Sequence, residues 1–302
     1  MKRRFKVTVR RCARFIFLPL LVSCFPATKV EAQSSARTIP LWSGSAPLSK
    51  GSTDADQPSV DVYLPATNPT HTGVLVIPGG GYGYLAAPEG KPVALWLQEH
   101  GVAAFVLHYR VSPYHYPAEM LDGLRAVRLI RSRAGEFHIS ADKIGVWGFS
   151  AGGHLASYLM TQWQQQLASS PDTIDAVDAR PDFGILAYPV ISMRPEITHH
   201  GSHENLLGPS ATPEQEAQLS SELHVDVNSP PAFLFATTDD GVVPVQNSIA
   251  FYAAYIQKHL PIEMHLFEHG PHGVVLAQSL PGASAWPSLL VTWMVRHGWM
   301  EK

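Results

Sequence analysis

Cysteine is nearly absent from this sequence, which restricts the covalent and metal chemistry available to the protein. The 302 residues include two cysteines, Cys12 and Cys24, and both fall in a basic and apolar N-terminal segment. The rest of the chain therefore offers no residue for a disulfide or for a thiolate metal site.

Charged residues are also few, and they form no long run. Asp, Glu, Lys and Arg make up 16% of the sequence against 45% hydrophobic residues. This balance favours a globular protein with a sizeable buried core. Low-complexity tracts and internal repeats are missing as well, which argues against a disordered scaffold or a solenoid.

The sequence has no apolar run long enough to cross a bilayer stably. At the N-terminus, a basic stretch (1–14) is followed by a short apolar stretch (15–25). This order is typical of a secretory signal. The segment therefore predicts export, to the periplasm or to the outside of the cell.

Two processing sites for this signal remain open. The small residues of Val30-Glu31-Ala32 favour cleavage before Gln33. Alternatively, Leu21-Val22-Ser23-Cys24 resembles a bacterial lipobox, which would make Cys24 a lipid-anchored N-terminus. The first alternative gives a signal peptide of residues 1–32, and the second a lipoprotein signal of residues 1–23.

Basic residues are scarce beyond the predicted signal. Residues 1–32 hold eight of the 22 Lys and Arg but one of the 25 Asp and Glu. Residues 33–302 therefore carry 14 basic and 24 acidic residues, a net charge of −10. A surface of this sign repels phosphates, which argues against nucleic acid as a partner.

From about Thr38 onward, short apolar runs alternate with stretches of helical periodicity. Strands are predicted at 59–65, 73–79, 102–109, 144–149, 183–190, 231–238 and 262–270, and helices at 92–101, 118–137, 153–167, 245–260 and 286–298. Apolar strands separated by helices are typical of a mostly parallel sheet with helices on both faces. We therefore predict an α/β fold with a single domain over residues 33–302. Functional residues in such a sheet follow the carboxyl ends of the strands.

A serine stands between glycines directly after one of these strands. Gly148-Phe149-Ser150-Ala151-Gly152 has the pattern G-x-S-x-G, with a predicted strand before it and a predicted helix after it. In that context the pattern marks a tight turn that exposes the serine hydroxyl near the N–H groups at the start of the helix. The alternative is a chance match in an ordinary turn. Ser150 is the candidate nucleophile.

Two later strands end in acidic and imidazole side chains, in the order that an orienting acid and a base require. Asp239 and Asp240 follow one strand, and His269 and His272 follow the next. The spacing D-x-x-V-P, with the acid four residues before the proline, favours Asp240. The Gly-Pro-His-Gly loop favours His272 as the base, which leaves Asp239 as a loop or cap carboxylate and His269 as an exposed or supporting residue.

A glycine-rich loop, IPGGGYGY (77–84), follows an early strand. We predict that the N–H groups of Gly80 and Gly81, together with that of Ala151, bind the oxyanion of a tetrahedral intermediate, with Tyr82 as a further donor. A plain glycine turn is the alternative. The loop lacks the spacing and the Lys-Ser/Thr pair of a P-loop, so nucleotide binding is disfavoured and no cofactor is predicted.

Aromatic and acidic side chains near these loops have two interpretations each. Tyr82 and Tyr109 could contact a sugar ring or an aryl group, or could only form a wall of the cleft. Glu89 could contact substrate or cap the helix 92–101, and we favour the cap.

The histidines outside the predicted triad also have two interpretations. His199, His200 and His203 could hold a metal or line the cleft. No nearby cluster of acids completes a metal site, so none is predicted. His154, on the helix that follows Ser150, is expected to pack or to cap rather than to take part in catalysis.

Together these motifs resemble the α/β-hydrolase superfamily, and within it the secreted esterases related to hormone-sensitive lipase and to bacterial acetyl-xylan and feruloyl esterases. The resembling segments are TIPLW (38–42), VIPGGGYGYLA (76–86), GVAAFVLHYR (101–110), YPAEMLDGLRAVRLIR (116–131), GVWGFSAGGHLAS (145–157), ARPDFGILAYPVISM (179–193), ENLLG (204–208), TTDDGVVPVQNS (237–248) and HGPHGV (269–274). The resemblance implies a single-domain α/β-hydrolase fold, with Ser150 as nucleophile, Asp240 as orienting acid and His272 as base. One departure is Pro78, which stands where the lipase-like loop begins with histidine, as in relatives of the xylan-esterase type.

The predicted activity is that of a serine carboxylesterase acting on short acyl esters, without a cofactor. The resemblance implies acetyl groups on plant polysaccharide such as xylan as the substrate. A prolyl-oligopeptidase-like peptidase uses the same residue order but usually has an added propeller domain, which is not seen here. A non-catalytic surface binding protein and an enzyme with lactonase or dienelactone-type chemistry are further alternatives.

Overall fold

One mixed β-sheet organises the part of the chain that the structure describes. The computed structural model describes residues 37–165 and 172–302, all within one unit, Ser35–Lys302. The predicted signal segment, both of its processing sites and Cys24 lie outside the described residues. Within those two ranges, no helix combines the length and the apolarity that a membrane crossing requires.

The elements alternate between strands and helices along most of the chain. The strands are β1 (Arg37–Pro40), β2 (Ser59–Tyr63), β3 (Gly73–Ile77), β4 (Ala103–His108), β5 (Ile144–Phe149), β6 (Phe183–Ala187), β7 (Ala232–Thr237) and β8 (Ile262–Phe267). The helices are α1 (Lys91–Glu99), α2 (Ala118–Ser132), α3 (Ala151–Thr161), α4 (His200–Leu207), α5 (Pro213–Gln218), α6 (Gln246–Gln257) and α7 (Trp286–Arg296).

The strand order of the sheet is β1-β2-β4-β3-β5-β6-β7-β8. β1 pairs with β2, and β2 with β4, in antiparallel register. All the other pairs are parallel. The chain moves from β3 to β4 on one side and later to β5 on the other side, so the order of the strands reverses next to β3. Open α/β sheets bind their ligands at such a reversal.

Each inner strand buries side chains on both faces of the sheet. Leu75 and Ile77 of β3 belong to one apolar cluster, with residues of α2, α3 and α6. Val74 and Val76 belong to a second cluster, with residues of α1 and α7. The alternation follows from the two-residue period of a strand. Three layers result, with helices covering both faces as the sequence predicted.

Three elements were not predicted from the sequence. β1 has four residues, α4 has a weak apolar pattern, and α5 reads PEQEAQ with no buried residue. A start signal for α5 is nevertheless present, because Thr212 and Gln215 form a capping box. The predicted helices over 118–137 and 153–167 end earlier than expected, at Ser132 and Thr161.

Candidate active site

Ser150 occupies a strained turn between β5 and α3. Its φ angle is 51°, in the left-handed region that non-glycine residues rarely adopt. The turn lies close to the end of β3, because a Cβ at Gly152 would stand 2.1 Å from the carbonyl oxygen of Ile77. Glycine at this position therefore lets the turn approach its neighbouring strand, as the G-x-S-x-G pattern requires.

The structure brings Ser150, His272 and Asp240 together from three separate parts of the chain. The Nε2 atom of His272 lies 2.8 Å from the Oγ atom of Ser150. Its Nδ1 atom lies 2.7 Å from Oδ2 of Asp240. Because a carboxylate can only accept, Nδ1 carries the proton, and Nε2 is then free to accept the serine proton.

Asp240 is fixed more firmly than its neighbour Asp239. Its Oδ1 atom accepts hydrogen bonds from the N–H groups of Val242 and Val243, at 2.8 and 3.0 Å. Burial raises the pKa of Asp240, but the hydrogen bonds from His272 and from these two N–H groups hold the pKa below its ordinary value. The carboxylate thus stays ionised and can stabilise an imidazolium.

Asp239 and His269 form a separate pair at the surface. Their side chains are 50% and 74% exposed, and His269 Nδ1 lies 2.9 Å from Asp239 Oδ2. Asp239 also accepts a hydrogen bond from the N–H of Gly270. The pair therefore acts on the loop before His272 and makes no contact with Ser150.

The glycine-rich loop after β3 lies beside the serine turn. Gly80 and Gly81 have φ angles of 117° and 62°. In the described part of the chain, the N–H groups of Gly80, Gly81 and Ala151 donate no hydrogen bond. Two side chains hold this loop: Glu89 accepts from the N–H of Gly79 at 2.7 Å, and Asn205 donates to the carbonyl of Gly81 at 2.8 Å.

A cavity of about 670 Å³ opens above Ser150. Its lining combines the glycine loop, the His272 loop and the start of α4. The lining residues are Gly80, Gly81, Gly83, Tyr84, Ala86, Ala87, Pro88, Glu89, Ser150, His199, Gly201, Asn205, Val242, His272, Gly273 and Val275. The cavity is large enough for a small ester, and its polar groups lie beside the serine.

Tyr82 and Tyr109 do not line this cavity, which corrects the expectation that they contact substrate. Their side chains are 0% and 3% exposed. The Tyr82 hydroxyl lies 2.7 Å from Nδ1 of His154, and the Tyr109 hydroxyl donates to the carbonyl of Pro78. Tyr109 therefore holds the glycine loop at Pro78, and Tyr82 fixes the loop to His154 of α3. Tyr84, which is 65% exposed, lines the cavity instead.

His154 has the packing role that its sequence position indicated. It is fully buried, and its Nε2 atom donates to the carbonyl of Leu219 at 2.6 Å, which leaves Nδ1 to accept from Tyr82. Burial lowers the pKa of His154 to about 4. The imidazole is therefore neutral and takes no part in proton transfer at Ser150.

The three histidines near α4 lie in different surroundings. His199 lines the cavity, and its Nδ1 atom accepts a hydrogen bond from the N–H of Ser202. Nε2 therefore carries the proton of the neutral ring. His203 lies 2.8 Å from Glu216, and His200 begins α4. Over residues 37–165 and 172–302, no three His, Cys, Asp or Glu side chains form a metal-binding group.

Glu89 and Tyr188 form a buried hydrogen bond near Ser150 that the sequence did not indicate. Glu89 does not cap α1, whose N-cap is Gly90. Its carboxylate instead accepts from Gly79 and from the Tyr188 hydroxyl, 99 residues away. Tyr188 directly follows β6, and this position at a strand end was the one available signal.

The sheet order, the serine turn and the cavity at the strand ends are those of an α/β hydrolase. The sequence profile of the BD-FAE family matches residues 60–255. The chain therefore belongs to the BD-FAE family. It is related to acetylxylan esterases, as the following relatives show.

Two curated relatives and one solved structure illustrate the relationship. The chain is 37% identical over 226 residues to endo-1,4-beta-xylanase B of Butyrivibrio fibrisolvens, covering 73% of this chain and 35% of that protein. It is 33% identical over 216 residues to the acetylxylan esterase of Xylanibacter ruminicola, covering 70% of this chain and 42% of that protein. The chain thus spans less than half the length of both relatives. The crystal structure of an acetyl ester-xyloside bifunctional hydrolase from Caldicellulosiruptor lactoaceticus superposes with a TM-score of 0.83 at 39% identity, over 88% of this chain and 98% of that one.

Proposed function

We propose that this chain is a serine esterase that removes short acyl groups, mainly acetyl, from plant polysaccharide such as xylan. The observation that carries the proposal is the continuous hydrogen-bonded series from Asp240 through His272 to Ser150. Relatives named as an acetylxylan esterase and as an acetyl ester-xyloside hydrolase support the choice of substrate.

In the proposed acylation step, Nε2 of His272 takes the proton of the Ser150 hydroxyl while Oγ attacks the ester carbonyl. The N–H groups of Gly80, Gly81 and Ala151 stabilise the oxyanion that forms. His272 then donates its proton to the departing sugar oxygen, and the acyl group remains on Ser150. Asp240 balances the positive charge that His272 carries in between.

In the proposed deacylation step, the same imidazole activates water. Nε2 of His272 takes a proton from a water molecule, and the resulting hydroxide attacks the acyl-serine carbonyl. Collapse of the second tetrahedral intermediate releases the carboxylic acid and returns the proton to Ser150. No group beyond the chain's own side chains and water is needed to balance either step.

Export is part of the proposal because xylan is a polymer outside the cell. The basic and apolar leader would direct the chain across the inner membrane, to be released after residue 32 or anchored at Cys24. Either route takes the chain out of the cytoplasm, to the periplasm or to the outside of the cell.

Acetate release from acetylated xylan tests the proposed function. The protein without its leader and the Ser150→Ala variant would each be assayed on acetylated xylan and on an aryl acetate. We expect release from both substrates, reduced in the variant by roughly 10³-fold or more. Cleavage of the aryl acetate alone would support esterase activity but exclude the polysaccharide as the substrate. If neither ester is cleaved, the esterase proposal is wrong, and the peptidase and binding-protein alternatives have to be tested instead.

His199 offers a test of how the sugar part of the substrate is held. Its Nε2–H donor has no partner among the described residues, so it can donate to a hydroxyl of the sugar. We expect His199→Ala to raise KM for an acetylated xylo-oligosaccharide about fivefold, because losing one neutral hydrogen bond weakens binding by about that factor. KM for a small aryl acetate should change little.

The matched control for this test is His203→Ala, on the helix α4 that His199 caps. His203 pairs with Glu216 and does not line the cavity. Steady-state kinetics on both substrates should therefore match those of the parent. An equal change of KM on both substrates in His199→Ala would contradict a contact with the sugar.

A further inference from the structure

Glu89 is a buried carboxylate that the proposed chemistry does not use. It lies in the short turn Ala87–Glu89 before α1 and is 4% exposed. Within residues 37–165 and 172–302, it forms no ion pair with Lys or Arg. Burial raises the pKa of this carboxyl, and its two hydrogen bonds partly offset the effect. Burying a carboxylate without a cationic partner costs free energy. The two hydrogen-bond donors of Glu89 are therefore the groups that stabilise it.

The first donor ties Glu89 to the glycine-rich loop. Oε2 accepts from the N–H of Gly79 at 2.7 Å, a buried hydrogen bond. Gly79 is pressed against the serine turn, because a Cβ at that position would stand 2.8 Å from the Cβ of Ser150. The bond therefore sets where the loop enters the site, one residue before the proposed oxyanion donor Gly80.

The second donor ties Glu89 to the loop that carries His272. Oε1 accepts from the Tyr188 hydroxyl at 2.9 Å, and that hydroxyl accepts in turn from the N–H of Val275 at 3.1 Å. The ring of Tyr188 also meets the His272 ring edge to face, with 5.0 Å between centroids. Tyr188 has a φ angle of 37°, in the left-handed region that residues other than glycine rarely adopt.

These contacts form one connection from the backbone of Gly79, through Glu89 and Tyr188, to the backbone of Val275. We propose that Glu89 and Tyr188 are positioning residues that hold the glycine-rich loop and the His272 loop in a fixed relative position across the cavity. This inference rests on the proposed esterase function. A carboxylate suits the task because it accepts at both oxygens at once, and a charged acceptor makes stronger hydrogen bonds in a buried site.

Glu89→Gln and Tyr188→Phe break this connection with little change in volume. A glutamine has one accepting oxygen and one NH₂ group, so Gly79 or Tyr188 loses its acceptor. On an aryl acetate, we expect each variant to lower kcat about 10- to 100-fold, because misplaced oxyanion donors weaken transition-state binding. KM should change by less than about threefold. The double variant should be no worse than the more severe single variant, because both changes break the same connection.

Tyr255→Phe is the matched control. The Tyr255 hydroxyl makes one buried hydrogen bond, to the carbonyl of Pro230, and is not part of the cavity lining. The kcat of Tyr255→Phe should equal that of the parent, even if thermal unfolding shows that this variant loses as much stability as Glu89→Gln or Tyr188→Phe. Amide hydrogen exchange supplies a readout that needs no turnover. Segments 77–86 and 268–277 should exchange faster in Glu89→Gln and Tyr188→Phe than in the parent.

The outcomes separate this inference from the function on which it rests. A parent protein that cleaves the ester only with Ser150 present, together with variants that keep the parent kcat, would overturn the inference alone. Multiplicative losses in the double variant, or unchanged exchange in both segments, would also overturn it. A parent without serine-dependent turnover is a failure of the proposed function. If Glu89→Gln does not fold, Tyr188→Phe decides by the same measurements.

Discussion

Replacing His272 by alanine or Asp240 by asparagine should lower kcat/KM on an aryl acetate by about 10³- to 10⁵-fold. The same replacements at His269 and Asp239 should leave kcat/KM within about threefold of the parent. The two sets of residues are close in sequence and chemically identical, so the contrast tests geometry rather than composition.

The expected loss has a different physical cause at each position. Without the imidazole of His272, no group lies at 2.8 Å from the serine oxygen to take its proton. With asparagine at position 240, the amide can present a donor where Nδ1–H now finds an acceptor. The imidazole would then favour the tautomer with its proton on Nε2, which cannot accept from Ser150.

The exposed pair supplies an internal control. His269 and Asp239 contact each other and the N–H of Gly270, so their replacement perturbs the loop before His272 without removing a proton acceptor. Steady-state rates of the four variants, with circular dichroism to verify folding, decide the matter. Large losses in His269→Ala and Asp239→Asn, with mild ones in their neighbours, would reassign the triad.

The juxtaposition of Ser150, Asp240 and His272 could be predicted because each of these residues follows a strand with its own local pattern. G-x-S-x-G, D-x-x-V-P and Gly-Pro-His-Gly are short, and the parallel sheet brings their strand ends to one edge. The choice of Asp240 over Asp239 rested on spacing alone, and the structure places Asp240 against His272. Local pattern was sufficient here because adjacent residues after a strand differ in the direction they face.

The substrate side of the site could not be predicted in the same way. Tyr82 and Tyr109 stand at strand and loop ends, where a sequence shows no preference between facing the cavity and facing the core. The structure turns both inward, and their hydroxyls bind a histidine and a backbone carbonyl. Which way such a residue faces depends on groups far away in the chain, here His154 and the loop at Pro78.

The connection through Glu89 shows the same difficulty at longer range. Its two donors are 10 and 99 residues away along the chain. From the sequence, an acid just before a helix indicates a cap, and that interpretation of Glu89 was wrong. The role of a buried carboxylate can be assigned only when the positions of its hydrogen-bond donors are known. Helix propensity and hydrophobic periodicity carry no information about long-range hydrogen bonds.

Glu119 should make the stability of this protein fall with rising pH. It lies on α2, is completely buried, and neither of its carboxyl oxygens has a hydrogen-bond partner in the described part of the chain. Burial raises the pKa of Glu119 from 4.5 to about 8, and repulsion from Asp122 adds to the effect. The folded protein therefore keeps this proton at neutral pH.

The sign of the pH dependence follows from the two protonation states. Above pH 4.5 the unfolded chain releases the Glu119 proton, whereas the folded chain keeps it until the pH reaches about 8. The unfolded state then binds fewer protons, so the free energy of unfolding decreases as the pH rises. Glu119→Gln does not titrate. The difference in unfolding free energy, variant minus parent, should therefore increase by about 1 kcal/mol for each pH unit between about pH 5 and 8.

Urea unfolding followed by tryptophan fluorescence at several pH values measures this difference. Glu204→Gln on α4, where the glutamate is exposed, is the control, and its difference from the parent should vary little with pH. The buried amide at position 119 adds a constant offset, so the slope and not the absolute value carries the test. A flat difference for Glu119→Gln would mean that the folded protein releases this proton as readily as the unfolded chain.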